Sequence, residues 1–215
     1  HQGAKMSALP PTSTNPWPVR AVRKALASKL AQAQPGKKIM VGDKDTVRFV
    51  LGVPGSKPLI VFGVNPSTAT DAEGAAGNDP TIDRVMSLLK SKRDEGYDGW
   101  FMLNLYPQRT TKPVNLHKNK DVRQEYIQAN LAGIQEVLAR YPDALLIAAW
   151  GNNIDRRVYL QQSEQEILQL TSKRQWHMVG KPSKARNPHH PLFTNLVLSP
   201  ITFDSNGKVS IYAPL

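Results

Sequence analysis

Four short polar stretches concentrate the side chains of this chain that could act on a bound molecule. They are Asn65-Pro66-Ser67-Thr68, Asn104 with Pro107-Gln108-Arg109, Gly151-Asn152-Asn153, and Arg186-Asn187-Pro188-His189-His190-Pro191. Together they hold amides, hydroxyls, imidazoles and guanidinium groups but few carboxylates, a set suited to an anionic substrate. Asn65 precedes a proline, which pushes its backbone out of the helical region and presents its amide. No Walker sequence, dinucleotide glycine fingerprint or HExxH motif is present, so triphosphate hydrolysis, dinucleotide binding and zinc proteolysis lose their usual support. The paired histidines could bind a metal, but three convincing ligands are hard to assemble without cysteine, and neither a metal nor a cofactor is expected. Ser67 lacks an obvious acid–histidine relay and reads as a loop hydroxyl, not a nucleophile. These residues alone are equally compatible with a plain strand-to-helix turn capped by Asn and Ser.

Each stretch needs an element to hold it. Leu59 to Phe62 is an apolar run bounded by Pro58 and Gly63, the pattern of a strand buried on both faces. Trp100 to Tyr106, Ala144 to Trp150 and Trp176 to Val179 read as further buried strands, each followed by one of the polar stretches. Val19, Val22, Leu26 and Leu30 recur at helical spacing after Pro18, with Arg20 and Lys24 off that stripe. Asn78-Asp79-Pro80-Thr81 opens a helix with a capping Asp and an early Pro, and Ile82, Val85, Met86 and Leu89 form its inward stripe. Tyr126 to Tyr141 and Ile154 to Leu170 are the remaining helices. Lys38 to Gly52 reads as a hairpin around Gly42-Asp43-Lys44-Asp45, and Leu196 to Tyr212 as another turning at Ser205-Asn206-Gly207. Strands alternating with helices predict a mainly parallel sheet in a three-layer α/β/α sandwich. If the strands are parallel, all four polar loops emerge on one side, where open α/β sheets bind ligands.

The chain has 215 residues, of which 40% are hydrophobic, enough for one sizeable core. Residues 1–16 read as a cloning remnant (His1 to Lys5) followed by a flexible arm, and residues 17–215 as a single domain. Lys and Arg number 28 against 17 Asp and Glu, a formal charge of +11 that favours polyanionic partners such as nucleic acid. The absence of cysteine removes disulfides, thiolate metal sites and a Cys nucleophile, and fits a reducing cytoplasm. No apolar run reaches the roughly 18 residues that would cross a bilayer. Neither a membrane nor an obligate protein partner is expected.

Six ordered motifs carry a resemblance. Asn65-Pro66-Ser67-Thr68-Ala69, Asn78-Asp79-Pro80-Thr81-Ile82, Gly96-Tyr97-Asp98-Gly99, Asn104-Leu105-Tyr106, Ala148-Ala149-Trp150-Gly151 and His190-Pro191-Leu192 resemble a bacterial and phage family catalogued as a domain of unknown function. The chain is also similar, more distantly, to the uracil-DNA glycosylase superfamily, particularly its mismatch-specific branch. In that branch one strand is followed by Gly-Ile-Asn-Pro-Gly and a later one by a His-Pro-Ser or Asn-Pro-Ser loop. Gly63-Val64-Asn65-Pro66-Ser67 and Asn187-Pro188-His189-His190-Pro191 stand in the corresponding order, with Ser67 in place of Gly and a bulkier second loop.

This resemblance implies a uracil-DNA-glycosylase-like fold and an N-glycosidic hydrolase acting on a damaged or modified pyrimidine in DNA. Asn65 then positions the water and His190 stabilises the departing base. Gly63, Val64, Pro66, Ser67, Thr68, Asp79, Arg109, Asn187 and His189 line the substrate, Asn104 reads the base edge and Tyr106 stacks on it. Lys181, Lys184 and Arg186 hold phosphates, as in enzymes that take a base out of its stack. A core position for Tyr106 and a merely solvated basic loop remain open from the residues. So do two other functions: a nucleic-acid-binding protein of the same fold without activity, and an enzyme of free nucleosides or nucleotides.

Overall fold

The computed structural model describes residues 15–190 and 197–212; most of the expected N-terminal arm and the Pro191-Leu192 part of one motif lie outside them. The described elements are α1 (Val19–Ala31), β1 (Ile39–Gly42), β2 (Arg48–Val53), β3 (Pro58–Gly63), α2 (Pro80–Ser91), β4 (Gly99–Asn104), α3 (Gln124–Arg140), β5 (Leu145–Ala148), α4 (Val158–Leu170), β6 (Trp176–Val179), β7 (Leu198–Phe203) and β8 (Val209–Tyr212). Among the described residues they form one eight-stranded sheet in the order β1-β2-β4-β3-β5-β6-β7-β8.

The sheet is mixed, which corrects the expectation of a mainly parallel one. β4, β3, β5 and β6 are parallel neighbours, whereas β1–β2, β2–β4, β6–β7 and β7–β8 pair antiparallel. Connection length is the physical reason. Parallel neighbours need a long crossover, which here carries a helix, whereas antiparallel ones can be joined by a tight turn. The two expected hairpins therefore flank the parallel centre. The Asp43 carboxylate organises the first turn by accepting from the amides of Asp45 (2.9 Å) and Val47 (3.2 Å). Gly207 at φ 74° closes the second, and a Cβ there would strike the Glu164 carboxylate.

Strand alternation divides the core between two faces. Ile60, Phe62, Phe101, Leu103, Leu146 and Ala148 pack with Val22 and Leu26 of α1, Ile134 and Val137 of α3, and Leu160 and Ile167 of α4. Leu59, Val61, Trp100, Met102 and Ile147 pack with Ile82, Val85, Leu88 and Leu89 of α2. Each aliphatic side chain so buried contributes about 1.5–3 kcal/mol. Met86 was expected on the inner stripe of α2 but is 44% exposed, with Leu88 inside in its place. Met86 rotates to the margin of the stripe, where its sulfur accepts from Asn78 Nδ2 at 3.4 Å. The expected helix from Ile154 to Leu170 is a 3-10 turn over Gly151–Arg156 followed by α4. No helix among the described residues is long and apolar enough to cross a membrane.

Candidate functional site

Because β3, β4, β5 and β6 run the same way, the loops after them leave from one edge of the sheet. Counted among themselves, these strands lie in the order 2-1-3-4, so the winding reverses between β3 and β5. Open α/β sheets bind ligands at such a reversal, outside the carboxyl ends of the strands. Backbone hydrogen bonds join the four loops in pairs: Thr110 N donates to Pro66 O (3.0 Å), and Gly151 N donates to Pro188 O (2.8 Å). α2 follows β3 and runs back along the sheet, bringing its N-terminus to the same edge. Asp79 caps it, accepting from Ile82 N at 3.0 Å.

At the end of β4, on the α2 face, Asn104 is fully buried, and neither Oδ1 nor Nδ2 of its side chain has a hydrogen-bond partner. Its neighbour across the ladder is Gly63. A Cβ on Gly63 would stand 3.0 Å from Asn104 Oδ1 and 2.6 Å from Met102 Cε, so a larger residue there must displace the methionine end and crowd the amide. The Asn104 backbone is held from the opposite face, where its carbonyl accepts from Asn130 Nδ2 at 2.8 Å. A buried polar group left unpaired costs about 1–3 kcal/mol, and a whole amide in that condition is a feature that needs a reason.

His190 stands at the same edge. Its Nε2 lies 3.4 Å from Thr81 Oγ1 in the first turn of α2, and its backbone packs against Gly151. Burial holds its pKa below the ordinary histidine value, opposed by the Asp79 carboxylate, so the imidazole is neutral near pH 7. Asn65 is half-buried at the end of β3, and its Nδ2 donates to the carbonyls of Pro66 (2.9 Å), Thr110 (2.9 Å) and Gln108 (3.4 Å). The donor end of this amide therefore clasps the loop after β4, and the hydrogen bonds described for it all run through Nδ2.

Other predicted residues have structural tasks. Gly63, Val64 and Pro66 are buried, whereas Thr68 is exposed. Arg109 ties the loop after β3 to the first hairpin, donating to Ser67 O (2.6 Å) and Ala69 O (3.0 Å) on one side and Asp43 O (2.7 Å) on the other. Tyr106 is not brought to the site. It is wholly buried on the other face, with its hydroxyl 2.7 Å from His117 Nδ1 and accepting from Arg123 N at 3.2 Å. Asn187 is also wholly buried, donating to Asn152 Oδ1 (3.0 Å) and Asp155 Oδ2 (2.7 Å) and accepting from Lys208 Nζ (2.8 Å). Arg186 takes a left-handed backbone (φ 64°) and turns its guanidinium onto Val209 O, while its own carbonyl accepts from Val209 N at 2.8 Å. Lys181 and Lys184 are exposed, and His189 is half-buried.

Two neighbours escaped the sequence reading. Thr81 was seen only as part of a helix start. Arg48 opens β2, is 2% exposed and donates to Ala69 O at 3.2 Å, while its Nε has no partner. Burial and the nearby Arg109 push its pKa down to about 9 against the pull of Asp79. A cation at the head of the apolar run Phe49-Val50-Leu51 was the available signal.

No curated protein and no solved structure matches this chain. A family model described as "Protein of unknown function (DUF1643)" matches residues 48–192, more than half of the 215 and including the Asn65, Asn104 and His190 loops. The chain belongs to that family.

Proposed function

We propose that the protein is a DNA-glycosylase-like hydrolase that cleaves the N-glycosidic bond of a damaged or modified pyrimidine, on a uracil-DNA-glycosylase-like fold. The observation that carries the reading is the buried, unpartnered amide of Asn104 against Gly63, at the edge that also holds Asn65 and His190. A pyrimidine edge presents a ring N–H or N beside an exocyclic oxygen or amine. An asparagine amide matches such an edge with two hydrogen bonds. Binding the base then relieves the unpaired amide, and a ligand lacking the edge leaves it unpaired. The Asn65 loop follows the first strand of the parallel centre and the His190 loop the last, the order of the two motifs in the glycosylase resemblance.

The chemistry asks for little proton abstraction. As the C1′–N bond breaks, the sugar gains oxocarbenium character and the base takes the bonding electrons. Water adds at C1′ as the C1′–N bond breaks, and the proton it loses passes through solvent to the base, which leaves as its anion. Asn65 Oδ1, on an amide fixed through its donor end, aims that water. The neutral His190 imidazole donates to the departing base as its negative charge grows. A second reading, binding without hydrolysis, draws on the same three Asn65 contacts, which make that residue a loop clamp.

The test is a screen of duplex and single-stranded oligonucleotides carrying different modified bases, read as alkali-labile abasic sites, with Asn65→Ala run in parallel. Hydrolysis predicts cleavage of at least one substrate and a loss of about a hundredfold or more in the variant. Binding of DNA with no base released from any substrate favours the second reading.

A further inference from the structure

Two guanidinium groups meet at one carbonyl in the loop between β3 and α2. Arg48 Nη1 and Arg109 Nη1 both donate to Ala69 O, at 3.2 and 3.0 Å. No carboxylate among the described residues forms an ion pair with either. Arg109 is half-buried, and its Nη2 meets only the Met40 thioether, a weak acceptor, at 3.3 Å. Arg48 is 2% exposed, its Nε has no partner, and its one side-chain hydrogen bond among the described residues leaves from Nη1. The Nε–Nη2 edge, on which a guanidinium grips an oxyanion with two parallel hydrogen bonds, is therefore unspent. As a tether for Ala69 alone Arg48 is a poor choice, since a neutral donor would reach the same carbonyl without a charge to desolvate.

The pair belongs to the edge already described. Leu51 lies opposite Met102 in the antiparallel ladder, so the start of β2, where Arg48 stands, is beside the end of β4 that carries Asn104. Asp79 at the head of α2 pulls upward on the pKa of Arg48, of Arg109 and of His190, which puts all four groups in one neighbourhood. One carboxylate against two guanidinium groups leaves the cluster positive. We infer that Arg48 and Arg109 form a binding site for a phosphate group. Two phosphate oxygens accept from the Nε–Nη2 edge of Arg48 and a further one from Arg109 Nη2; a carboxylate, with two oxygens, has none left for the second arginine. The approach is through the loop, whose residues 71–76 are exposed and which is regular only over the 3-10 turn Ala75–Gly77. A free nucleotide and a DNA strand present the same chemistry to this edge.

The test is a thermal shift with inorganic phosphate against sodium chloride at equal ionic strength, with amide hydrogen exchange measured over residues 69–79. Phosphate is expected to raise the wild-type Tm by several degrees beyond chloride and to slow exchange in that loop. Arg48→Met should keep the Tm measured without phosphate, or raise it, and lose most of the phosphate response. Should that variant fail to fold, Arg48→Lys keeps the charge without the two-donor edge and should bind phosphate about tenfold more weakly. Displacement of phosphate by thymidine 5′-monophosphate but not by thymidine assigns the group to a nucleotide, and displacement by a DNA oligonucleotide alone assigns it to a strand. A wild type that responds to phosphate no more than to chloride overturns the site, as does an Arg48→Met or Arg48→Lys protein with the full response. No readout involves base release, so the site and the hydrolase reading stand or fall separately.

Discussion

Two asparagines of this protein are wholly buried at the same edge of the sheet, and their surroundings are opposite. Asn187 has its side chain tied to Asn152, Asp155 and Lys208, and the Ser183 hydroxyl accepts from its backbone amide at 3.1 Å. Asn104 has no side-chain partner at all. Burial alone therefore does not distinguish a residue that builds the site from one that serves it. The state of their hydrogen bonds separates these two, because a satisfied amide stabilises the fold and an unsatisfied one carries its desolvation cost until something pairs with it.

The sharpest way to break this contrast is Asn104→Ala. On the proposed reading, in which the Asn104 amide pairs with the base, the variant should slow base release about a thousandfold, about 4 kcal/mol of barrier, and leave the melting temperature unchanged or higher. A destabilised variant with full activity would reverse the assignment. Asn187→Ala should do the opposite. It removes three hydrogen bonds, to Asn152, Asp155 and Lys208, so stability should fall by about 3 kcal/mol, or about 6–12 °C in Tm, with activity per folded molecule retained at lower temperature.

Glu164 asks whether an orphan atom by itself marks function. It is 2% exposed, and its Oε2 also lacks a partner. Burial pushes its pKa up to about 8, with Lys208 opposing and Asp155 and Asp204 assisting. The carboxyl is therefore protonated at pH 7 in the fold and ionised in the unfolded chain. Folding then carries the extra proton, so stability declines as pH rises through about 8. His117, His177 and His190 have lowered pKa values and act below pH 6.5, outside this window. Thermal melts from pH 7 to 8, below the range where Arg48 titrates, should show the wild-type Tm dropping by a few degrees and Glu164→Gln staying flat. A wild type with no decline would place the residue with Asn104.

The smallest effects belong to the basic loop. Lys181→Ala and Lys184→Ala should each lower DNA affinity slightly and reduce the salt slope, while Arg186→Ala should lower Tm instead, because its guanidinium is docked on Val209. Equal salt effects from all three would mean that the docked arginine still meets phosphate.

Much of the framework was legible because local signals agreed with tertiary ones. The stretch Trp176 to Val179 and the Asp79-Pro80 helix start follow from apolar runs, caps and proline alone. The antiparallel flanks were not drawn into the sheet description, although both hairpins were visible, because neighbour identity in a sheet is a long-range property. At the site, the sequence placed Asn65, Asn104 and His190 on one edge but could not separate Tyr106 from them. Asn104 and Tyr106 are two apart on one strand exit, and the bend there sends the tyrosine to the other face, where His117 receives its hydroxyl. Nor could spacing show that Arg109, Arg186 and Asn187 hydrogen-bond to the protein itself. The carbonyls and side chains they reach belong to distant segments.

The clasp between Arg186 and Val209 also sets an order of events. The loop that carries His190 leaves β6 and is held at Pro188 by Gly151, yet its Arg186 end is fixed by β8, which the chain reaches later and which pairs with the sheet through β7. Asn65 and Asn104, on β3 and β4, lie well upstream of that strand. A chain growing from its N-terminus can thus set Asn65 and Asn104 early and completes the support of the His190 loop only with its last described hairpin. An intermediate holding the parallel centre without β8 would be sheet-like by far-ultraviolet circular dichroism and still lack a seated His190, so recovery of function during refolding should lag behind recovery of secondary structure.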